Sequence, residues 1–558
     1  MDGARRQASD AVVTVDVVAR GWGPHRRALG YDLGMKVFNT AGPCKADLHY
    51  QIRPDTRLEG VDALIEGQNY FVVHAPRQTG KTTTLRALAR RLTAEGRYTA
   101  LHFSCETGRA LHGVGEVERR IWLAIELAAR ENLPPDLRPA PVVVSSTGGF
   151  LTVQIKQWCE ISPRPLVLFF DEIDALEGEP LKSVLSQLRD GFPSRPEHFA
   201  SSVVLCGLKD VRDYKILSGG TDPRAGSSSP FNIKVESLRL GNFTRAQLIE
   251  LYTQHTTETG QVFTPEALDR AWDLTRGQPW LTNALAREVV QKIGVPLDQA
   301  ITPDHLDLAK ERLILARATH LDSLLARLRE PRVREVLEPV LVGELTDVGP
   351  TDDNYQYVLD LGLIAPTKPP EIANPIYREV IARVLAESAE YAISSEYPTY
   401  VLRSGRLDFA GLMNGFIDFW TEHGDILASR MSYPEAAPML VLMAWLHRAV
   451  NGTGYIEREV GVGRKRIDLL VRWPYVEDGQ RVWQREALEL KVWRDRDRRG
   501  DPEPKGILQL DQYLTKMGLD TGWLVVFDAR EAAPDIDERT KIHTAITPSG
   551  RSIQVLRA

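Results

Sequence analysis

The chain has 558 residues, a formal net charge of −6, 43% hydrophobic and 26% charged residues, and four cysteines, none of them in a CxxC pair. This length predicts about three or four domains, and the composition is typical of globular proteins. The charge argues against a globally basic nucleic-acid-binding protein. Isolated cysteines favour a reduced, cytoplasmic compartment over a disulfide framework, and the apolar run at 439–446 is too short to span a membrane.

Residues 1–35 form an N-terminal extension with a basic bias, which comes from Arg5, Arg6, Arg20, Arg26 and Arg27. The extension has no apolar stretch long enough for a secretory signal. Two interpretations stay open, namely an arm that touches nucleic acid and a weakly ordered tail without such a role.

Residues 36–240 alternate short apolar runs with longer stretches of helical periodicity. This alternation is typical of a parallel sheet covered by helices. The predicted strands are Asn69–His74, Thr99–Ser104, Leu166–Phe170, Ser202–Cys206 and Asn232–Glu236.

A phosphate-binding loop is predicted directly after the first strand, where the sequence reads APRQTGKT. Backbone N–H groups in such a loop converge on phosphate oxygens, and the following helix adds its positive dipole. Lys81 would reach the β- and γ-phosphates of ATP, and Thr82 would hold Mg²⁺. Alanine replaces the usual first glycine, which the turn tolerates if φ is negative at that position. The predicted nucleotide-binding residues are Ala75, Pro76, Arg77, Gln78, Thr79, Gly80, Lys81, Thr82 and Thr83.

The strand Leu166–Phe170 ends in the acidic sequence Asp171-Glu172-Ile173-Asp174. An apolar strand that ends in adjacent acids is the usual partner of a phosphate-binding loop. Asp171 is predicted to hold Mg²⁺ through water, and Glu172 is predicted to polarise the attacking water.

A further apolar strand at 203–206 is followed by two cations, Lys209 and Arg212. A strand between the two nucleotide-binding strands can carry a polar group that contacts the γ-phosphate. Lys209 and Arg212 are candidates for that contact, and both are equally compatible with ordinary surface positions.

Several short sequences in this part of the chain resemble bacterial AAA-ATPase-like proteins of the additional-strand class, which are related to signalling and archaeal ATPases. They are FNTAGPC at 38–44, His49-Tyr50, the loop itself, SPFNI at 229–233 and RGQPWL at 276–281. The resemblance covers about residues 36–386. It implies that the segment before the first strand covers the adenine, which nominates His49, Tyr50 and Arg57. It also implies that Pro279 faces the nucleotide, although Gly277 and Pro279 could simply punctuate the helices.

Residues 241–328 are predicted to form a helical lid, and 329–395 a winged-helix-like domain, because two helices precede a hairpin there. A helical linker is expected at 396–433. The fold class is therefore α/β multidomain, with a P-loop ATPase domain at 36–240 and a further α/β domain at 434–558.

The C-terminal part carries a D…ExK pattern on two predicted strands, formed by Asp468, Glu489 and Lys491. Strand alternation places Glu489 and Lys491 on one face, and the preceding strand of the hairpin can bring Asp468 to them. Two carboxylates can hold Mg²⁺, and the lysine would act near the attacking water of phosphodiester hydrolysis. The bare pattern is also found on ordinary solvent-facing strands.

The order of helix, hairpin, strand, helix and strand over about 434–528 resembles the PD-(D/E)xK nuclease superfamily. The resemblance implies a fold like that of restriction endonucleases, with Asp468 and Glu489 as metal ligands. It adds Glu435 from the first helix and Gln509 from the helix after the ExK strand. Basic residues flank the pattern at 464–466 and 494–499. They could hold a phosphate backbone, or they could belong to a mixed-charge surface loop, since Asp495 and Asp497 alternate with the arginines.

These features together predict an ATPase whose nucleotide state controls a metal-dependent nuclease, and a role in defence against foreign DNA is a guess by resemblance. ATP and Mg²⁺ are the expected cofactors, and nucleic acid, DNA rather than RNA, is the expected partner. No membrane association is expected, and homo-oligomerisation stays open. The alternative is a nucleotide-gated signalling or DNA-binding ATPase with an inactive nuclease fold.

Overall fold

The computed structural model describes residues 35–141, 149–208, 234–316, 321, 324, 326–341, 352–390, 400–430, 437–450, 454–462, 465–495, 500–530 and 532–558. No helix in these ranges is both long enough and apolar enough to cross a membrane.

The N-terminal sheet has five parallel strands in the order β2-β3-β4-β1-β5. Its strands are β1 Tyr70–His74, β2 Thr99–Ser104, β3 Leu166–Asp171, β4 Ser202–Gly207 and β5 Lys234–Arg239. All five match predicted strands, although β5 ends at Arg239, later than the expected Glu236. Strand β4 lies between β1 and β3, as expected for an additional strand between the two nucleotide-binding strands. This order brings the ends of β1 and β3 to one edge of the sheet.

Both faces of this sheet are covered by helices, because its central strands are apolar along their whole length. Every residue of β3 is buried, and separate apolar clusters lie on the two faces. The covering helices are α1 Val61–Glu66, α2 Lys81–Ala94, α3 Val114–Asn132, α4 Phe150–Ile161 and α5 Gly178–Gly191.

A group of helices follows the sheet where the lid was predicted. They are α6 Arg245–Thr259, α7 Pro265–Thr275, α8 Pro279–Arg287 and α9 Pro303–Leu315. Helix α6 begins after Thr244. The side chains of Thr244 and Gln247 form a capping box, which defines the start of the helix. Between α7 and α8, Gly277 adopts a φ of 71°, and a Cβ there would lie 2.0 Å from the Phe243 carbonyl oxygen. Only glycine fits this turn, whose Gly277 carbonyl accepts from the Phe243 N–H at 2.8 Å, just before α6.

The next segment contains two helices, a short antiparallel hairpin and a third helix. These elements are α10 Pro331–Leu341, α11 Asp353–Asp360, β6 Ile364–Ala365, β7 Glu371–Ile372 and α12 Pro375–Glu390. Two helices before a hairpin is the order that the sequence predicted for this segment.

The C-terminal part contains a mixed sheet of six strands in the order β12-β13-β11-β10-β9-β8. The strands are β8 Tyr455–Val462, β9 Lys465–Glu477, β10 Gln480–Trp493, β11 Trp523–Asp528, β12 Lys541–Ile546 and β13 Ser552–Arg557. The helices are α13 Phe409–Arg430, α14 Ala437–Val450, α15 Glu503–Met517 and α16 Ile536–Arg539. Strands β9 and β10 form the predicted hairpin, and β11 pairs parallel to β10. One continuous apolar core joins the lid, the helix–hairpin segment and this sheet.

Candidate functional sites

The phosphate-binding loop connects β1 to α2 and contains two residues in the left-handed region, Gln78 with a φ of 58° and Gly80 with a φ of 90°. Ala75 is not among the residues of positive φ. It is fully buried, and its N–H donates to the Gly207 carbonyl at 3.3 Å. The methyl group of Ala75 is therefore accommodated, and the loop keeps its turn without the first glycine.

Lys81 and Thr82 stand at the start of α2, where the loop ends. The Lys81 ammonium donates to the carbonyl oxygens of Ala75 and Pro76 at 2.7 and 2.8 Å. Burial lowers the pKa of Lys81. The Thr82 hydroxyl donates to Asp171 Oδ2 at 2.7 Å, so two residues 89 positions apart meet as predicted. A hydroxyl beside a carboxylate is the ligand pair that a nucleotide-bound Mg²⁺ uses.

Asp171 also receives a contact that the sequence analysis missed, from His102 on the neighbouring strand β2. His102 Nε2 lies 2.9 Å from Asp171 Oδ2, and both side chains are buried. Burial alone would raise the pKa of Asp171, but contacts with His102, Thr82 and Cys206 outweigh it and hold the pKa below its usual value. The charged form that binds a cation is therefore favoured. In the β2–β3 register, Ser104 pairs with Asp171. His102 lies two positions before Ser104 on β2, so its side chain is on the same face of the sheet as Asp171.

Glu172 follows Asp171 with a φ of 56°, a left-handed conformation that is uncommon outside glycine. Its Oε2 accepts a hydrogen bond from the Ser104 hydroxyl at 2.5 Å, and its N–H donates to Asp171 Oδ1 at 3.0 Å. The turn thus directs the two adjacent carboxylates to separate partners. This arrangement suits Asp171 as a metal ligand and Glu172 as the group that polarises water.

A cavity of about 670 Å³ lies over this edge of the sheet. Its lining includes the charged side chains of Lys81, Asp171 and Glu172 and apolar side chains such as those of Ile52 and Leu251. The volume is in the range of small-molecule sites. A lining that combines charged and apolar side chains suits a nucleotide. The predicted residues that line the cavity are Arg77, Gln78, Gly80, Lys81, Thr82, Thr83, Asp171, Glu172, Tyr50, Arg57 and Pro279.

The predicted adenine-covering residues differ in their positions. Arg57 donates to the Thr79 and Gly241 carbonyl oxygens, both at 2.7 Å, and burial lowers its pKa to about 10. It therefore clamps the loop to the start of the lid. Tyr50 is buried and donates to Glu258 Oε2 at 2.5 Å. His49 does not line the cavity, and its Nδ1 accepts from the Lys45 N–H at 2.9 Å.

Three predicted site residues, Lys209, Arg212 and Glu435, lie outside the described residues. Leu208, immediately before the first of them, lines the cavity. The prediction that Lys209 or Arg212 contacts the γ-phosphate stays a prediction, as does a role for Glu435.

In the C-terminal sheet, Asp468 on β9 lies beside Glu489 and Lys491 on β10. Asp468 Oδ2 accepts from the Leu490 N–H at 2.8 Å, and the Lys491 ammonium lies 2.5 Å from Glu489 Oε1. The three side chains of the D…ExK pattern thus converge across two paired strands. Burial and the charge of Asp468 raise the pKa of Glu489 to about 7.

Two acceptor atoms in this region have no hydrogen-bond partner within the described part of the chain, Glu489 Oε2 and Gln509 Oε1. Gln509 lies on α15, which packs against β10. Such buried acceptors are costly unless a donor or a cation satisfies them. Among the described residues, no group of three or more His, Cys, Asp or Glu side chains is placed to hold a metal ion.

The predicted basic flanks of this site are described only in part. Arg464 and residues 496–499 lie outside the described ranges. Trp493, at the end of β10, has the Arg530 guanidinium 3.4 Å from its ring centroid. Its ring is therefore covered by a cation on one face.

Several contacts connect the ATPase part to the rest of the chain, and two of them involve elements that carry predicted site residues. Arg472 on β9 reaches Asp307 at 3.1 Å and Asp304 at 3.2 Å, both on α9 of the lid. Asp307 in turn pairs with Arg270 on α7, 2.6 Å away. At the second contact, a Cβ on Gly362, just after α11, would lie 2.5 Å from the Pro76 side chain in the phosphate-binding loop.

Comparison with known proteins supports the N-terminal part. The AAA domain family matches residues 64–214, which contain β1, β3 and the phosphate-binding loop. A search of curated proteins finds no significant match. The chain therefore carries an ATP-binding AAA-type P-loop ATPase domain.

Solved structures give distant matches. A Walker-type ATPase of Pyrococcus abyssi has a TM-score of 0.44 at 14% identity, covering 62% of this chain and 99% of that one. The Orc1 protein of Aeropyrum pernix, solved with DNA, has a TM-score of 0.34 at 14% identity over 61% of this chain and 94% of that one. The RuvB Holliday junction branch migration motor of Thermotoga maritima has a TM-score of 0.31 at 16% identity over 59% and 92%. These scores are too low to support an argument about function.

Proposed function

We propose that this protein is an ATPase whose nucleotide state controls a metal-dependent nuclease in its C-terminal sheet. The observation that carries the proposal is the convergence of Asp468, Glu489 and Lys491, together with the unpartnered acceptor Oε2 of Glu489. This donor set suits Mg²⁺ or Mn²⁺, which prefer carboxylate oxygens. A bound ion would supply Lewis-acid polarisation of a phosphodiester.

The chain's own residues have distinct roles in this proposal. Asp468 and Glu489 hold the cation, and Gln509 offers one more oxygen from α15. Lys491 positions the attacking water and stabilises negative charge that develops on the phosphate. Nucleic acid, with DNA favoured over RNA, is the proposed substrate, and the basic residues at 464–466 and 494–499 are proposed to contact its backbone.

Control by ATP is supported by two of the contacts between the parts of the chain. Helix α7 ends at the turn that leads to Pro279 in the cavity, and its Arg270 is linked through Asp307 to Arg472. Arg472 lies four positions after Asp468 on the same strand, β9. A lid movement caused by the nucleotide would therefore act directly on the strand that carries a metal ligand. The helix–hairpin segment, which we propose to be a winged helix, touches the phosphate-binding loop at Pro76.

The alternative is a nucleotide-gated signalling or DNA-binding ATPase whose nuclease fold is inactive. One observation favours it, namely that no third acidic, histidine or cysteine ligand joins Asp468 and Glu489 within the described ranges. In that case ATP would bind and drive a conformational change or assembly without cleavage.

Cleavage of plasmid, linear and single-stranded DNA and of RNA, with Mg²⁺ or Mn²⁺ and with or without ATP, tests the proposal. Lys491→Ala should abolish cutting, and Lys81→Ala should remove the effect of ATP on cutting. Lys541→Ala is the matched control, because it removes an exposed lysine from β12 of the same sheet. ATP hydrolysis without cleavage of any substrate would support the alternative instead.

A further inference from the structure

The buried histidine of strand β2, His102, contacts the ATP site from outside the phosphate-binding loop and the acidic end of β3. It is 7% exposed and lines the cavity. Its Nε2 lies 2.9 Å from Asp171 Oδ2. A carboxylate can only accept, so Nε2 carries the hydrogen and donates it. The imidazole is therefore a donor to the residue that is predicted to hold Mg²⁺.

The position of His102 is fixed by its neighbours along β2. Leu101 and Phe103 are 1% and 2% exposed and belong to the apolar cluster on one face of the sheet. Strand alternation sends His102 to the other face, on which Ala100 packs in the cluster that includes residues of α2. The parallel pairing with β3 covers all six residues of β2. The backbone of β2 is thus anchored on both sides of His102, and the imidazole is held beside β3.

The other donors to Asp171 are less independent of the nucleotide or of Asp171 itself. Thr82 donates to Oδ2 at 2.7 Å from the start of α2, and its hydroxyl is a predicted ligand of the same Mg²⁺. Oδ1 accepts from the N–H of Glu172 at 3.0 Å, and Glu172 follows Asp171 directly in the chain. The Cys206 thiol also bonds to Asp171, but a thiol is a weak donor. Among the described residues, His102 is therefore the strong donor that reaches Asp171 from a separate strand.

We infer that His102 is a positioning residue of the ATP site, which holds the Asp171 carboxylate in the orientation that binds Mg²⁺. Asp171 is 1% exposed, so water cannot readily replace a donor that is lost, and the carboxylate would turn toward its remaining partners. Groups that orient a metal-binding residue typically change metal affinity about 10- to 100-fold when they are replaced. The inference rests on ATP binding in the cavity and adds a residue that controls the affinity for the metal.

Calorimetric titration of the full-length protein with ADP, in EDTA and in Mg²⁺, tests the inference without ATP hydrolysis. The ratio of the two affinities measures how strongly Mg²⁺ tightens nucleotide binding. His102→Leu removes the donor, so this ratio should fall about tenfold, whereas the affinity in EDTA should stay unchanged. His102→Gln should keep most of the ratio, because its amide places an N–H donor near the position of Nε2.

His255→Leu is the matched control, because His255 is also a buried histidine, 1% exposed, but lies in the lid outside the cavity lining. Its Nε2 lies 3.0 Å from Gln261 Oε1. This variant should leave the ratio unchanged, even where the affinity for ADP falls in both buffers. An equal fall in both buffers for His102→Leu would mean that His102 only packs the sheet, and the inference would be wrong.

Two further measurements keep the test decisive. If His102→Leu fails to fold, His102→Asn takes its place, because its shorter amide cannot reach Asp171, and an unchanged ratio in that variant would overturn the inference. Equal affinity of the wild type for ADP in EDTA and in Mg²⁺ would overturn it as well, since Asp171 would then hold no cation. Binding of ADP in neither buffer would refute the ATP site itself, and the inference with it.

Discussion

The two candidate sites differ in how their side chains are satisfied. In the ATP site, Asp171 accepts from Thr82 and contacts His102, and Glu172 accepts from Ser104. In the C-terminal site, Glu489 Oε2 and Gln509 Oε1 stay without partners in the described part of the chain, and the pKa of Glu489 is raised to about 7. Protein groups therefore satisfy the acids of the first site, whereas the second site leaves a buried acceptor of Glu489 for a cation. We expect the ATP site to respond to substitutions through catalysis, and the C-terminal site to respond through metal and proton binding.

The largest effect on activity is expected for Glu172→Gln, which tests the ATP site. The amide cannot take a proton from the attacking water, so ATP hydrolysis should fall about 100-fold or more, in line with the usual contribution of a general base. ATP affinity should change little, because Asp171 and Lys81 are intact. Steady-state hydrolysis and nucleotide titration measure the two quantities separately.

The control for this substitution is Glu179→Gln, which removes an exposed acid that pairs with Lys182 on α5 of the same domain. A similar loss of hydrolysis in both variants would show that Glu172 has no special role and would weaken the distinction between the sites.

The next effect concerns the contact between the helix–hairpin segment and the phosphate-binding loop. In Gly362→Ala, the new methyl group would lie 2.5 Å from Pro76, so the loop or the hairpin must shift. Overpacking costs about 1–3 kcal/mol, and we expect ATP affinity to fall about tenfold. Nucleotide titration gives this value directly.

Gly260→Ala separates this contact from ordinary backbone strain. Gly260 has a φ of +79°, similar to the +73° of Gly362, and no atom lies within 4 Å of a Cβ built on it. Both variants lose stability from the left-handed conformation. An equal change of ATP affinity in both would argue that the hairpin does not act on the loop.

A smaller effect is expected for the ion pairs that join the lid to β9. Arg472→Ala removes the contacts to Asp304 and Asp307, so ATP should change the rate of nucleic acid cleavage about fivefold less than in the wild type, within the usual range of coupling energies. Asp304→Asn weakens the same link at its exposed end and provides a milder variant. The measurement is the ratio of cleavage rates with and without ATP.

Arg481→Ala is the control, since both Arg472 and Arg481 lie over the Trp483 ring, at 4.9 and 5.2 Å from its centroid, but Arg481 belongs to the exposed end of β10. If ATP changes the cleavage rate of Arg472→Ala as much as that of the wild type, these ion pairs do not couple the two sites. The ATP site and the C-terminal site would then act independently.

The sequence predicted the ATP site better than the C-terminal one for a physical reason. Parallel strands fix which ends share an edge, so Thr82 and Asp171 had to meet once β1 and β3 were recognised. His102 was missed because its role depends on the pairing of β2 with β3. In the C-terminal sheet, strand alternation predicted the meeting of Glu489 with Lys491, but nothing local could show that Arg472 would reach α9 of the lid.

The smallest effect is expected for the pH dependence of stability, which tests the C-terminal site through Glu489. The pKa of Glu489 rises from an ordinary 4.5 to about 7 in the folded protein, so the folded state holds a proton that the unfolded state has released. Wild-type stability should therefore fall as the pH rises from about 4.5 to 7. Glu489→Gln cannot lose stability in this way. The melting temperature of the variant minus that of the wild type, both measured in EDTA, should therefore increase by several degrees from pH 5 to pH 8.

Glu477→Gln, at the exposed end of β9, should give a difference from the wild type that does not depend on pH. Adding Mn²⁺ at pH 8 should then raise the melting temperature of the wild type and not that of Glu489→Gln, because only the Glu489 carboxylate binds the cation and thereby stabilises the folded state. A pH-independent difference for Glu489→Gln would mean that Lys491 alone satisfies Glu489. The C-terminal site would then be as self-contained as the ATP site, and the case for a metal there would lose its main support.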